Sequence, residues 1–210
     1  MLPERTKLAK PRIISKKRLL QQGKWTTQER EQLTQQIKRL SLTHQLDEKT
    51  LRIPSGETIK QIVVLKIELK ETDYSLSLIN KIAQLYSTNI LVQIYDSHQN
   101  TIWILPYSNQ NVRECYVSTK NLSLEIQGNS MDEVYLQLIH QIHPLFLIDT
   151  TDTIDALIQR NKEIEVLKKQ LHAKKKKMYT EKSIKKQMEY KKEYIKLQKQ
   201  LKGLGYHESK

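Results

Sequence analysis

Glu57-Thr58-Ile59-Lys60-Gln61-Ile62-Val63-Val64-Leu65-Lys66-Ile67-Glu68-Leu69-Lys70 is the stretch on which the fold turns. Ile59, Val63, Leu65, Ile67 and Leu69 alternate onto one face of an extended chain. Ile62 and Val64 make the other face apolar over its middle. Alternation with a two-sided apolar centre predicts a central strand covered on both faces. The elements around it follow from punctuation. Before it, Leu51-Arg52-Ile53-Pro54 reads as a short edge strand stopped by proline, with Ser55-Gly56 as the turn. After it, Asp73 is placed to cap a helix over 74–86, where Leu78, Ile79, Ile82 and Leu85 recur at helical spacing.

Four shorter strands are predicted further on: Ile90–Tyr95, Thr101–Pro106, Arg113–Ser118 and Leu122–Ile126. Asp96-Ser97-His98-Gln99-Asn100 is turn chemistry, which makes the first two a hairpin. Ser130 and Glu133 form a capping pair opening a helix with Val134, Leu138, Ile139 and Ile142, ending near Pro144. Upstream, Thr26 and Glu29 do the same for a helix over 27–42 carrying Leu33, Ile37 and Leu40. The sum is an α+β domain over 26–150: a mainly antiparallel sheet with packed helices.

Charge divides the chain differently. Of 210 residues, 36 are Lys or Arg and 23 Asp or Glu, a net +13. Residues 1–25 hold +7 and residues 159–210 hold +11, so the middle is mildly acidic. Pro3, Pro11 and Gly23 make 1–25 a basic, irregular arm. Residues 151–210 form a lysine-rich helical tail after the polar break at 149–153. In it Leu157, Ile164, Leu167 and Leu171, then Tyr190, Tyr194, Leu197 and Leu201, make two apolar stripes. A kinked rod of about 50 residues would run about 75 Å. The alternative is a hairpin folding back near Tyr179-Thr180. With no glycine at the bend, the long helix or coiled coil is favoured. The seam calls for a partner, either this chain or another copy.

Composition excludes several classes. One cysteine, Cys115, allows no internal disulfide and fits a reducing compartment, so a cytoplasmic location is expected. No apolar run is long enough to span a membrane, and no membrane partner is expected. There is no Gly-rich phosphate loop, serine elbow or zinc signature, and no cofactor or metal is expected. His140 and His143 lie three apart on a helix, and His98 in a turn, without a matching ligand set.

What remains is contact with a polyanion. Lys16, Lys17 and Arg18 in the arm are the candidates for phosphate backbones, together with Lys168, Lys169, Lys174, Lys175, Lys176, Lys177, Lys185, Lys186, Lys191 and Lys192 in the tail. Tyr179, Tyr190 and Tyr194 are interleaved among them as candidate stacking rings, although heptad spacing also suits a packing seam. No base-reading motif is present, so recognition would be blind to sequence and leaves DNA and RNA equally open. The enzymatic alternative is Glu68-Leu69-Lys70, a Glu-x-Lys of restriction-nuclease type. There a carboxylate holds Mg²⁺ and the lysine orients water. Asp47 and Glu57 are the only nearby second carboxylates.

The order of segments carries a resemblance. Ile14-Ser15-Lys16-Lys17 is followed by Leu40-Ser41-Leu42-Thr43-His44-Gln45-Leu46 and Thr50-Leu51-Arg52-Ile53-Pro54. Next come Val64–Lys70, Leu78-Ile79-Asn80-Lys81-Ile82 and Glu181–Glu193 before Leu197. Nearly end to end, this resembles a bacterial and phage family known as a domain of unknown function (number four-three-nine-one). The chain departs from it at Lys182-Ser183-Ile184-Lys185 and Lys191, where the family tends to carry amides. The resemblance implies an accessory role beside a helicase or DNA methyltransferase in a restriction or defence locus.

Overall fold

In a computed structural model, residues 2–109, 113–149 and 152–206 are described. They belong to two compact units, Met1–Phe146 and Leu147–Lys210. The first is built on a six-stranded sheet of β1 (Lys7–Ile13), β2 (Ile37–Asp47), β3 (Gln61–Leu69), β4 (Asn89–Tyr95), β5 (Thr101–Ser108) and β6 (Arg113–Val117), lying side by side in chain order. Every neighbouring pair is antiparallel except β3 and β4. The protein is therefore α+β with a mainly antiparallel sheet.

The two-sided apolar run is indeed central. Its odd-numbered face joins Ile90, Val92, Ile94, Ile102 and Ile104 in one cluster. That cluster is closed by Leu19 of α1 (Lys16–Gln22), Leu33 of α2 (Thr27–Gln36), and Leu78, Ile79 and Ile82 of α4 (Leu76–Gln84). A parallel pair needs a crossover, and α4 supplies it. On the even face Ile62 and Val64 are fully buried. Beyond them α5 (Met131–Ile142) sends the Tyr135 hydroxyl to the Pro106 carbonyl at 3.1 Å.

Several segments differ from the sequence reading, each for a local reason. The helix expected over 27–42 stops at Gln36, and Ile37 begins β2. A bulge between Ile37 and Arg39 puts Ile37 opposite Leu69 and Leu40 opposite Ile67, on one sheet face. A bulged strand thus imitates three-residue helical spacing. In place of the expected edge strand at 51–54, Leu51 ends α3 (Glu48–Leu51), which a reciprocal Asp47–Thr50 cap opens and Arg52, in the left-handed region, closes. The strand expected at 122–126 is irregular. Its backbone is held by a side chain, since Gln141 of α5 accepts from Glu125 N–H and donates to Glu125 C=O. Ser75, not Asp73, caps α4.

The basic segment 1–25 is not irregular. Its β1 pairs with β2, with Arg12 opposite Leu42 and Ile13 opposite Ser41. Ser15 caps α1, whose Leu19 is fully buried. β1 is exposed over most of its length, so no alternation marks it in the sequence.

In the second unit the tail is the hairpin given as the alternative, bending directly after Tyr179-Thr180, and not the favoured single long helix. α6 (Ile154–Thr180) and α7 (Ile184–Gly203) are separated by extended backbone at Glu181. Ile164, Leu167, Leu171 and Leu201 form a buried cluster against Leu147, Tyr194, Leu197, Leu204 and Tyr206. Burying two stripes in each other outweighs the missing glycine: the Gln187 side-chain amide, donating to the Glu181 carbonyl at 2.5 Å, helps to hold the bend. Residues 150 and 151 of the polar break lie outside the described residues.

Candidate nucleic-acid interface

The hairpin sorts its lysines into two groups. Lys168 is paired with Glu165 at 2.8 Å and lies over the Tyr206 ring at 4.2 Å. Lys174 is paired with Glu193 and lies over the Tyr190 ring. Arg160 is held by Asp149, Asp152 and the Leu204 carbonyl. These cations brace the hairpin. Lys169, Lys175, Lys176, Lys177, Lys185, Lys186, Lys191 and Lys192 are instead exposed and carry no ion pair among the described residues. Six acids stand against seventeen basic residues over 159–210, so the remaining surface of this unit is positive.

In the first unit Lys17 and Arg18 are exposed on α1. Lys16 turns inward. Its ammonium donates to the carbonyls of Thr34 and Ile37, satisfying the end of α2. Burial, and then the nearby Lys70, lower its pKa. It serves the fold.

The expected interface residues are internal. Ile164, Leu167, Leu171, Tyr194, Leu197 and Leu201 meet one another across the hairpin. Leu157 is fully buried, and Tyr190 is half-buried beneath Lys174. Of the three candidate stacking rings Tyr179 alone is exposed, at 73%; what the sequence reading missed is apolar surface outside that seam, with Ile184 77% exposed, Met188 56% and Ile195 43%. A helical stripe displaced from the seam register was the available signal.

The Glu-x-Lys pair is not assembled into a metal site. Glu68 is bound by Lys66 at 3.1 Å and stands between Arg39 on β2 and Tyr95 on β4. Asp47 lies opposite Gln61, roughly 23 Å from Glu68 along the strand. Its carboxylate is engaged by Thr50 and Gln45. Glu57 sits in the loop bound by Asp132. Among the described residues no three His, Cys, Asp or Glu side chains are grouped to hold a metal. No described helix is long and apolar enough to cross a membrane.

The described residues of the first unit form two sizeable clefts. One of about 680 Å³ is lined by Asn80, Tyr86, Asn89, Tyr107, Arg113 and Cys115. Burial raises the Cys115 pKa, which keeps it a thiol rather than a nucleophilic thiolate. The other, about 420 Å³, lies over His44, Gln93, Tyr95 and Trp103. Burial, then Lys7, pushes the His44 pKa down, favouring the neutral ring. Neither cleft joins an activated nucleophile to a base.

A family model described as "Domain of unknown function (DUF4391)" matches residues 1–201. No curated protein and no solved structure matches the chain.

Proposed function

For a chain that belongs to the DUF4391 family, we propose a non-enzymatic accessory role: holding the phosphate backbone of DNA or RNA on the lysine faces of α6 and α7. The observation that carries this is the set of exposed hairpin lysines without carboxylate partners among the described residues, on a unit whose basic residues far outnumber its acids. Lysine is a point charge that suits phosphate without reading bases. The sheet-based first unit would dock onto a larger nucleic-acid enzyme, a helicase or DNA methyltransferase of a defence locus. That part rests on the resemblance noted in the sequence.

The test is salt dependence. Affinity for duplex DNA should fall by orders of magnitude between about 50 and 200 mM salt. Changing Lys175, Lys176 and Lys177 together to Gln should lower the log–log slope by about 0.9 for each phosphate no longer neutralised. Binding that ignores salt, or a slope unmoved by the triple change, would refute the reading. Lys174 is left intact because it braces α7 through Glu193.

A further inference from the structure

The hairpin also separates its tyrosines. Tyr194 is packed in the seam and its hydroxyl accepts from Gln198 at 3.1 Å. Tyr190 is covered by Lys174. Tyr179, in the last turn of α6, is 73% exposed. Lys175 and Lys176, four and three residues before it, flank it on the helix surface. Five residues on, α7 starts with Ile184 77% exposed, and the Glu181 carboxylate caps that end by accepting from the Ser183 N–H at 3.0 Å. Lys182, Lys185 and Lys186 are exposed at that same end.

From this juxtaposition we infer that the tip of the α6–α7 hairpin docks an unpaired nucleic-acid strand. A base stacks on the Tyr179 ring, and the adjoining phosphates lie on Lys175, Lys176, Lys185 and Lys186. The inference rests on the phosphate-backbone reading and adds the substrate class. An aromatic ring projecting from a cationic surface gains nothing from duplex DNA, whose bases are stacked on each other. It gains a face-to-face contact from an unpaired base. Other occupants fit less well. A second copy would bring the same lysines and be repelled. A lipid surface or apolar groove would meet Lys191 standing in line between Met188 and Ile195 on α7.

The experiment is fluorescence anisotropy on the full chain with labelled oligothymidylate of about 16 nucleotides and a blunt duplex of matched charge. Wild type should prefer the oligothymidylate. Tyr179→Ala should weaken that binding roughly five- to a hundredfold and leave the duplex unaffected. Tyr179→Trp should restore it, while Tyr179→Leu, equally apolar, should not. Equal affinity of wild type for both nucleic acids, or an Ala variant indistinguishable from wild type, overturns the inference. So does competition by polyglutamate or phosphatidylserine vesicles as effective as by unlabelled oligothymidylate. Failure of wild type to bind either nucleic acid at low salt instead refutes the underlying phosphate reading.

Discussion

Asp132 shows how much one side chain can organise. Its carboxylate accepts from the backbone N–H groups of Glu57 at 2.8 Å and Ile59 at 2.7 Å, and from Thr58. It thereby pins the loop that enters β3. A Cβ on Gly56 would lie 2.2 Å from that carboxylate, so the loop needs glycine there for closeness. Asp132→Ala strands these donors and should cost about 2–3 kcal/mol, read as a lower urea midpoint. Asp96 is a second anchor, in the turn between β4 and β5. The Asn100 side-chain amide, then the backbone N–H groups of Asn100 and His98, hold its carboxyl below the ordinary aspartate pKa. A depressed folded-state pKa means stability that is complete above the unfolded value, about 3.9, and lost as pH falls through the lower folded value. The urea midpoint of wild type should therefore drop as pH falls below about 4, and Asp96→Asn should flatten that part of the profile.

Among the elements, α6 and α7 are the pair whose behaviour most alters expectation. An apolar stripe on a lysine-rich helix reads as an oligomer seam, but here the complement lies on the same chain after a three-residue turn. Leu171, 5% exposed, and Leu201, 3% exposed, sit in the joint cluster. Leu171→Ala should cost about 2–3 kcal/mol and reduce helicity in circular dichroism. Light scattering should show the same molar mass for the variant as for wild type, since the seam closes within one chain. A mass that halves would return Leu171 to an intermolecular role. β1 is the complementary case. Nearly all of it is exposed, so only its hydrogen bonds to β2 define it as a strand.

Over the whole molecule the +13 charge is not one reservoir. Some cations serve the fold: Lys16 at the end of α2, Arg160, Lys168 and Lys174 on the hairpin, Lys81 on Glu29 at 2.5 Å. Others face outward. The two classes should separate experimentally. Lys16→Met should lower stability by about 1 kcal/mol and leave the salt slope of DNA binding alone. Lys17→Gln with Arg18→Gln should lower the slope at unchanged urea midpoint if α1 contributes to the phosphate surface. The net count cannot make this division, because it follows from which carbonyls and carboxylates lie within reach after folding.

The strands β3 to β6, the central position of β3, two of the helix caps and the concentration of charge at 159–210 were all legible in the residues, because alternation, capping pairs and charge runs act over a few neighbouring positions. Thr26–Glu29, Ser130–Glu133 and the 96–100 turn are of that kind. The bulge that turned Ile37 and Leu40 into strand residues, the choice of the hairpin over the rod, and the sorting of bracing from outward lysines were not. Each depends on partners distant in the chain: Leu69 and Ile67 for β2, Leu201 for Leu171, Glu193 for Lys174. Local pattern sets what a segment can bury; long-range packing chooses the surface it is buried against, and so which charges are left facing water.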